Sequence, residues 1–226
     1  MIHCQIVGCG RPTMRAAGLG FAAFHCRRHV EHRARHGSHW HPGYRANELK
    51  VYLAAAQSYI RPRLGTDAEI KNAVSRMAFL LEQSPYEITT RLRGLPAKTR
   101  ADIAFGRLRK RGIKPERLLA IHLAITALIE EDPGSHRVKE FRLVQVAKAA
   151  HRLASGYHRV WPMQDKNGRN FRIELHAYAR STGRVLRLIG QAIEERCEWA
   201  TAKHLDGVLR LKVKRYGRHP ALPEVR

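Results

Sequence analysis

The 226-residue chain carries 42 lysines and arginines against 19 acidic residues, a formal net charge of +23, and 44% of its residues are hydrophobic. That much apolar content folds, and the length suits one sizeable core, or a small N-terminal module beside one larger domain. The charge points to a polyanion, DNA or RNA, with an acidic protein as the alternative partner; without a secretory signal after Met1 or an apolar run near the ~20 residues that span a bilayer, no membrane role is expected and a cytoplasmic location is.

The excess charge sits at the two ends. Residues 1–65 hold 10 basic and 2 acidic residues, residues 66–134 hold 12 and 9, and residues 135–226 hold 20 and 8. The middle therefore resembles an ordinary core.

The first segment, residues 3–40, reads HCQIVGCGRPTMRAAGLGFAAFHCRRHVEHRARHGSHW. Four residues separate Cys4 from Cys9, and a turn through Gly8 and Gly10 can bring both thiolates around one ion. Cys26 and His29 are spaced i and i+3, which shares a face at the start of a helix. Three thiolates and one imidazole form a closed tetrahedral set for Zn2+. So short a segment has almost no apolar core, so metal binding would supply much of its folding energy. The alternative is three free cysteines beside a histidine. His25, His32 and His36 are rival ligands. A filled four-ligand set leaves no open position, which makes the metal structural. Arg27, Arg28, Arg33 and Arg35 crowd the same helix and can rest on phosphates, or they form a merely solvated face.

The Cys-x4-Cys pair, Arg11-Pro12, Gly18-Leu19, and Cys26-x2-His29 in a basic helix ending Arg35-His36-Gly37 resemble a short zinc knuckle of phage and mobile-element proteins. Such knuckles often precede a homing-type endonuclease or helix-turn-helix domain. The resemblance implies DNA binding and covers about 40 residues. It departs from the family at residues 20–25, which separate the Gly-Leu from the third cysteine. The resemblance does not extend to residues 45–226.

Past Trp40–Tyr44, which mark the end of a module over 1–44, the domain 45–226 reads as mostly helical. Residues 46–61 form a helix with Leu49, Tyr52, Leu53 and Tyr59 or Ile60 inward, stopped by Pro62 and Gly65. Thr66 is expected to cap the next helix, with Glu69 completing a capping box. Its stripe is Ile70, Ala73, Val74, Met77, Leu80 and Leu81, and Pro85 ends it. Pro96 opens a helix that Gly112 closes. Pro115 opens another, with Leu118, Leu119, Leu123, Ile125 and Leu128 apolar, ended by Asp132-Pro133-Gly134. Ser135 is expected to cap a helix running to Gly156, with Phe141, Val144, Ala147 and Leu153 inward.

The period then changes from 3.6 to 2. Phe171, Ile173, Leu175 and Ala177 alternate with polar residues, and Asn167-Gly168 is a turn pair, so a hairpin is expected over about 158–177. Three helices followed by a hairpin is the order of a winged helix-turn-helix, with a plain helical bundle as the alternative. In the winged arrangement Arg137, Lys139, Arg142, Lys148 and Arg152 would line the recognition helix, and Lys166 and Arg169 would sit on the wing. A last helix begins near Ser181 with Val185, Leu186, Ile189, Ile193, Cys197 and Ala200 apolar; Cys197 is a small buried hydrophobe there. The tail, residues 207–220, is an edge strand or a basic helix end. Tyr216, between Arg215 and Arg218, either stacks on a base or anchors the terminus.

Signs of catalysis are sparse. Most acidic residues fall at helix ends, where capping and solvation explain them. His158, Asp165 and His176 could form a nuclease-like cluster if the hairpin gathered them. No phosphate loop, GxSxG elbow or HExxH occurs. The expectation is a zinc-dependent fold that binds nucleic acid, double-stranded DNA first, as a regulator or accessory factor of a phage or mobile element. The alternatives are an RNA-binding or ribonucleoprotein component, a nuclease and an assembly protein.

Overall fold

The computed structural model describes residues 2–13, 23–85, 92, 94–154, 157–177 and 183–222. Among them the chain forms α1 (Arg27–His36), α2 (Ala46–Ile60), a 3-10 turn (Arg61–Arg63), α3 (Ala68–Glu82), α4 (Ala97–Lys110), α5 (Pro115–Glu131), α6 (Lys139–Arg152), the strands β1 (Tyr157–Gln164) and β2 (Asn170–Ala177), and α7 (Gly183–Tyr216). The fold is mainly helical, as the periodicities require.

Helix α5 is the axis. Every residue from Leu118 to Ile129 is buried, because LLAIHLAITALI is apolar on all faces, and such a helix belongs at the centre of a core. Helices α2, α3, α6 and α7 surround it. Helix α7, 34 residues long, also reaches α2, α3, α4 and α6. Its buried stripe runs Val185, Ile189, Ile193, Cys197, Ala200, His204 and Val208 at helical spacing. The α6–α7 crossing depends on Gly190, where a Cβ would stand 2.2 Å from the Leu143 carbonyl oxygen.

Charged groups inside this core come in satisfied sets. Glu194 accepts a two-pronged contact from Arg142, at 2.9 and 3.2 Å. Lys212, 2% exposed, pairs with Glu131 and lies 4.4 Å over the Tyr52 ring. The Tyr52 hydroxyl donates to the same carboxylate at 2.7 Å. Removing one member of such a set leaves a desolvated charge unpaired.

Several expected boundaries move. The cap of α3 is Asp67, not Thr66: its carboxylate accepts from the Glu69 and Ile70 amides at 3.0 and 3.1 Å, and it also meets His204 of α7 at 3.0 Å. Helix α6 starts at Lys139, not Ser135, and ends at Arg152 rather than near Gly156. The Ser135 hydroxyl instead donates to the Ile129 carbonyl at 2.7 Å and closes the end of α5. Pro96 caps α4 from outside rather than opening it. The basic tail is the end of α7, not a strand. Residues 155–156, between α6 and the hairpin, and Ser181 lie outside the described residues.

The hairpin forms over 157–177, and Gly168 supplies the left-handed turn with φ 76°. Its described apolar side chains do not join the core: Met163 and Phe171, opposite each other in register, are both exposed. The helix–helix–helix–hairpin order is that of a winged helix-turn-helix, but α6 is covered by α1, α5 and α7, whereas a recognition helix needs one face free for a groove.

Candidate metal centre

Residues 2–13 fold back on themselves through local hydrogen bonds. The Cys9 amide bonds the Ile6 carbonyl at 3.0 Å, and the Cys4 amide bonds the Arg11 carbonyl at 2.8 Å. Gly8 and Gly10 take left-handed backbone, φ 76° and 57°, which turns the chain so that Cys4 and Cys9 face the same point. Cys26 occupies the cap position before α1, and its carbonyl receives the His29 and Val30 amides. One helical turn later His29 points its Nδ1 back toward the Cys26 sulfur.

Cys4, Cys9, Cys26 and His29 thereby place their ligand atoms within 4.8 Å of one another. Cys9 Sγ and Cys26 Sγ are 3.7 Å apart, and His29 Nδ1 is 3.2 Å from Cys4 Sγ and 3.4 Å from Cys26 Sγ. Thiolates and an imidazole on a tetrahedral ion at ordinary zinc bond lengths stand about 3.8 Å (S to S) and about 3.5 Å (S to N) apart. The set fits a closed four-coordinate metal ion. Burial opposes ionisation of Cys4, but hydrogen bonds from the backbone of Cys26 and Ile6 and from His29 hold its thiol down to about 6. At Cys9 the hydrogen bond from the Arg11 backbone favours the thiolate, and burial together with the crowding sulfurs of Cys26 and Cys4 pushes the thiol up. A central cation relieves that crowding.

The rival histidines are otherwise engaged. His25 stacks on His39 with ring centres 3.7 Å apart. His32 donates from Nδ1 to the Ser38 carbonyl at 2.8 Å and stacks on His36. His36 accepts from Lys148 Nζ at 2.9 Å; burial, then the Lys148 charge, depress its pKa to about 4. Burial and the neighbouring His25 do the same for His39.

Helix α1 divides its arginines between two faces. Arg27, Arg28 and Arg35 are exposed, with Arg27 also meeting Glu31 at 2.9 Å. Arg33 turns inward and pairs with Glu140 of α6. Glu140 also receives Arg187 of α7, whose remaining donors reach the Arg33, Ala34 and Gly183 carbonyls at 3.1, 3.3 and 2.6 Å. Arg187 thus caps the open carbonyl end of α1 and fixes it to the helical body. Gly37 ends α1 with φ 78°, and a Cβ there would meet the Glu140 carbonyl oxygen at 2.7 Å. Beyond it the Tyr44 hydroxyl donates to Asp132 at 3.1 Å, and its amide to Gln145 at 3.3 Å. Neither Arg187 nor Glu140 stood out in the sequence, because their partners other than Gly183 lie 47 to 154 residues away.

The other expected contact residues scatter. Arg142 serves Glu194 internally, Lys139 is exposed but 3.5 Å from the same carboxylate, and Lys148 serves His36. Arg137 binds the Glu130 carbonyl and carboxylate. Arg152, Lys166, Arg169, Arg215 and Arg218 are exposed. Tyr216 is exposed too. The nuclease cluster is not assembled: His158 and His176 are register partners, while Asp165 lies in the turn just past the end of β1, seven residues on from His158 and roughly 23 Å away. Its carboxylate instead accepts the Asn167 and Arg169 amides and shapes the turn. Gly18 and Leu19 lie outside the described residues. No helix among the described residues is long and apolar enough to cross a membrane. No protein-family model, curated protein or solved structure matches this chain.

Proposed function

We propose that the Cys4, Cys9, Cys26 and His29 centre holds a structural Zn2+ in a module over 1–44, and that the protein binds double-stranded DNA as a regulator or accessory factor. The observation that carries this is the division of α1: its first turn is tied to the metal cluster, its inner face is pinned to α6 and α7, and Arg27, Arg28 and Arg35 stand outward together. Three thiolates select zinc over the hard cations. The net charge of +23 supplies the long-range attraction. Arginines on a rigid helix position a phosphate backbone. The hairpin tip, with Lys166 and Arg169 exposed, adds basic groups that can meet the same backbone. The resemblance of the knuckle to those of phage and mobile-element proteins supports the choice of DNA.

Fluorescence anisotropy with matched duplex DNA, single-stranded DNA and structured RNA tests it, at two salt concentrations. Duplex should bind tightest at the higher salt. The triple variant R27Q/R28Q/R35Q should weaken binding and lower the slope of log affinity against log salt by about 2 to 3. Tighter binding of RNA, or equal binding that vanishes with salt, overturns the assignment to duplex DNA.

A further inference from the structure

Away from the metal centre, an open cleft of ≈ 790 Å³ lies between α2, the 3-10 turn, the α4–α5 connection, the start of α5 and the end of α7. Its charged lining is Arg61, Lys114, Arg117, Arg215 and a single carboxylate, Glu116. These side chains come from three separate stretches of chain, at Arg61, at Lys114–Arg117 and at Arg215, so no sequence pattern announces the cluster.

None of the four cations makes an ion pair or a side-chain hydrogen bond among the described residues. This contrasts with Arg33, Arg142, Arg187 and Lys212, which all reach carboxylates. Arg117 is half-buried, and its pKa is lowered by burial alone. A guanidinium taken partly out of water with no anion beside it is unfavourable unless a guest supplies one. The first turn of α5 opens onto the same cleft. Pro115 stands at its first position and has no N–H, and the Arg117 amide is spent on the Lys114 carbonyl at 3.0 Å, so it is the side chains that face the cleft. Three arginines and a lysine around one cleft suit a phosphate, which a guanidinium can grip through two hydrogen bonds.

We propose that this cleft holds backbone phosphates of the bound polynucleotide, as a second contact independent of the metal module. The inference rests on the nucleic-acid function proposed above. Arg187, beside α1, and Arg215, in the cleft, are 28 residues apart on one continuous helix, about 40 Å along its axis. Side chains at one site cannot share a phosphate with the other, so losses from the two sites should add in log affinity.

The test uses the full zinc-loaded chain and three variants: K114Q/R117Q in the cleft, R27Q/R28Q/R35Q on α1, and the combination. A 20-base-pair duplex is titrated across a salt series, and AMP and inorganic pyrophosphate are titrated separately. Thermal melting and zinc content must match wild type for K114Q/R117Q; the single variant R215Q, exposed on α7, serves if they do not. The expected result is a tenfold or greater loss of duplex affinity for K114Q/R117Q, a salt slope smaller by about 2, and additivity with the α1 variant. Unchanged duplex binding in the cleft variant, with loss only in the α1 variant, overturns the cleft and leaves DNA binding standing. No duplex binding by wild type, with AMP or pyrophosphate bound and lost in K114Q/R117Q, overturns both the DNA function and the polymer as occupant, and leaves a free-phosphate site.

Discussion

Arg187→Leu should loosen α1 from the helical body without touching the Cys4, Cys9, Cys26 and His29 cluster. Arg187 donates through Nε and Nη2 to Glu140, through Nη2 to the Arg33 carbonyl, and through Nη1 to the Ala34 and Gly183 carbonyls. Leucine keeps the apolar stem and removes every donor. Glu140 then keeps only Arg33, and two carbonyls at the end of α1 lose a partner. A hydrogen bond to a charged group contributes about 1.5–3 kcal/mol and a neutral one about 1 kcal/mol. The Arg187 side chain is 27% exposed, so water recovers part of the loss. A net destabilisation of about 2–3 kcal/mol follows, which lowers a urea midpoint by roughly 1 M. The distinguishing measurement is amide exchange. Protection should fall first over Val30–Gly37, while Leu118–Ile129 at the centre of α5 changes only with global stability. Arg187→Lys keeps the charge but loses the planar fork, and should recover less than half of the loss. If R187L unfolds within 0.5 kcal/mol of wild type and α1 keeps its protection, Arg187 does not dock α1.

Cys26→Ser should reduce bound zinc from one ion per chain to none, as read by elemental analysis, and should abolish exchange protection in α1 while α5 stays protected. Gly190→Ala should lower Tm by about 5 °C or more, because the added methyl meets Leu143 backbone that cannot rotate away, an overpacking cost of about 1–3 kcal/mol; an unchanged Tm would show that α6 and α7 separate freely. His36 and His39 have folded pKa values of about 4 against 6.5, so the unfolded chain takes up their protons first. Their contribution is therefore fully present above pH 6.5 and is lost as pH falls toward 4. Urea midpoints across this range should fall more steeply for wild type than for H36Q, by up to one proton, and parallel profiles would refute the assignment.

The Cys4, Cys9, Cys26 and His29 cluster was legible because its parts are local. Thiols at 4 and 9 around two glycines, and a cysteine and histidine one helical turn apart, fix their geometry within a few bonds. Helix α5 was legible as a helix between Pro115 and Asp132-Pro133-Gly134, but its place at the centre, with every residue from Leu118 to Ile129 buried, emerged only from the packing. The alternation of Phe171, Ile173, Leu175 and Ala177 around Asn167-Gly168 specified the hairpin, since strand pairing there spans few residues. Choices between neighbouring candidates were not legible. Thr66 and Asp67 are both good caps, and Asp67 prevails in a fold where His204, 137 residues away, meets its carboxylate. Ser135 is a good cap in sequence, but packing gives its hydroxyl to the end of α5. Most decisive is the fate of the basic residues. Sequence supplies the count of 42 lysines and arginines, but whether each faces a carboxylate or water depends on which helices pack together. Arg142 and Lys212 lie against Glu194 and Glu131, whereas Arg61, Lys114, Arg117 and Arg215 converge on a cleft with one carboxylate. Periodicity and capping act over about four residues and can be read along the chain. Charge pairing acts through space between helices distant in sequence, and only their packing decides it.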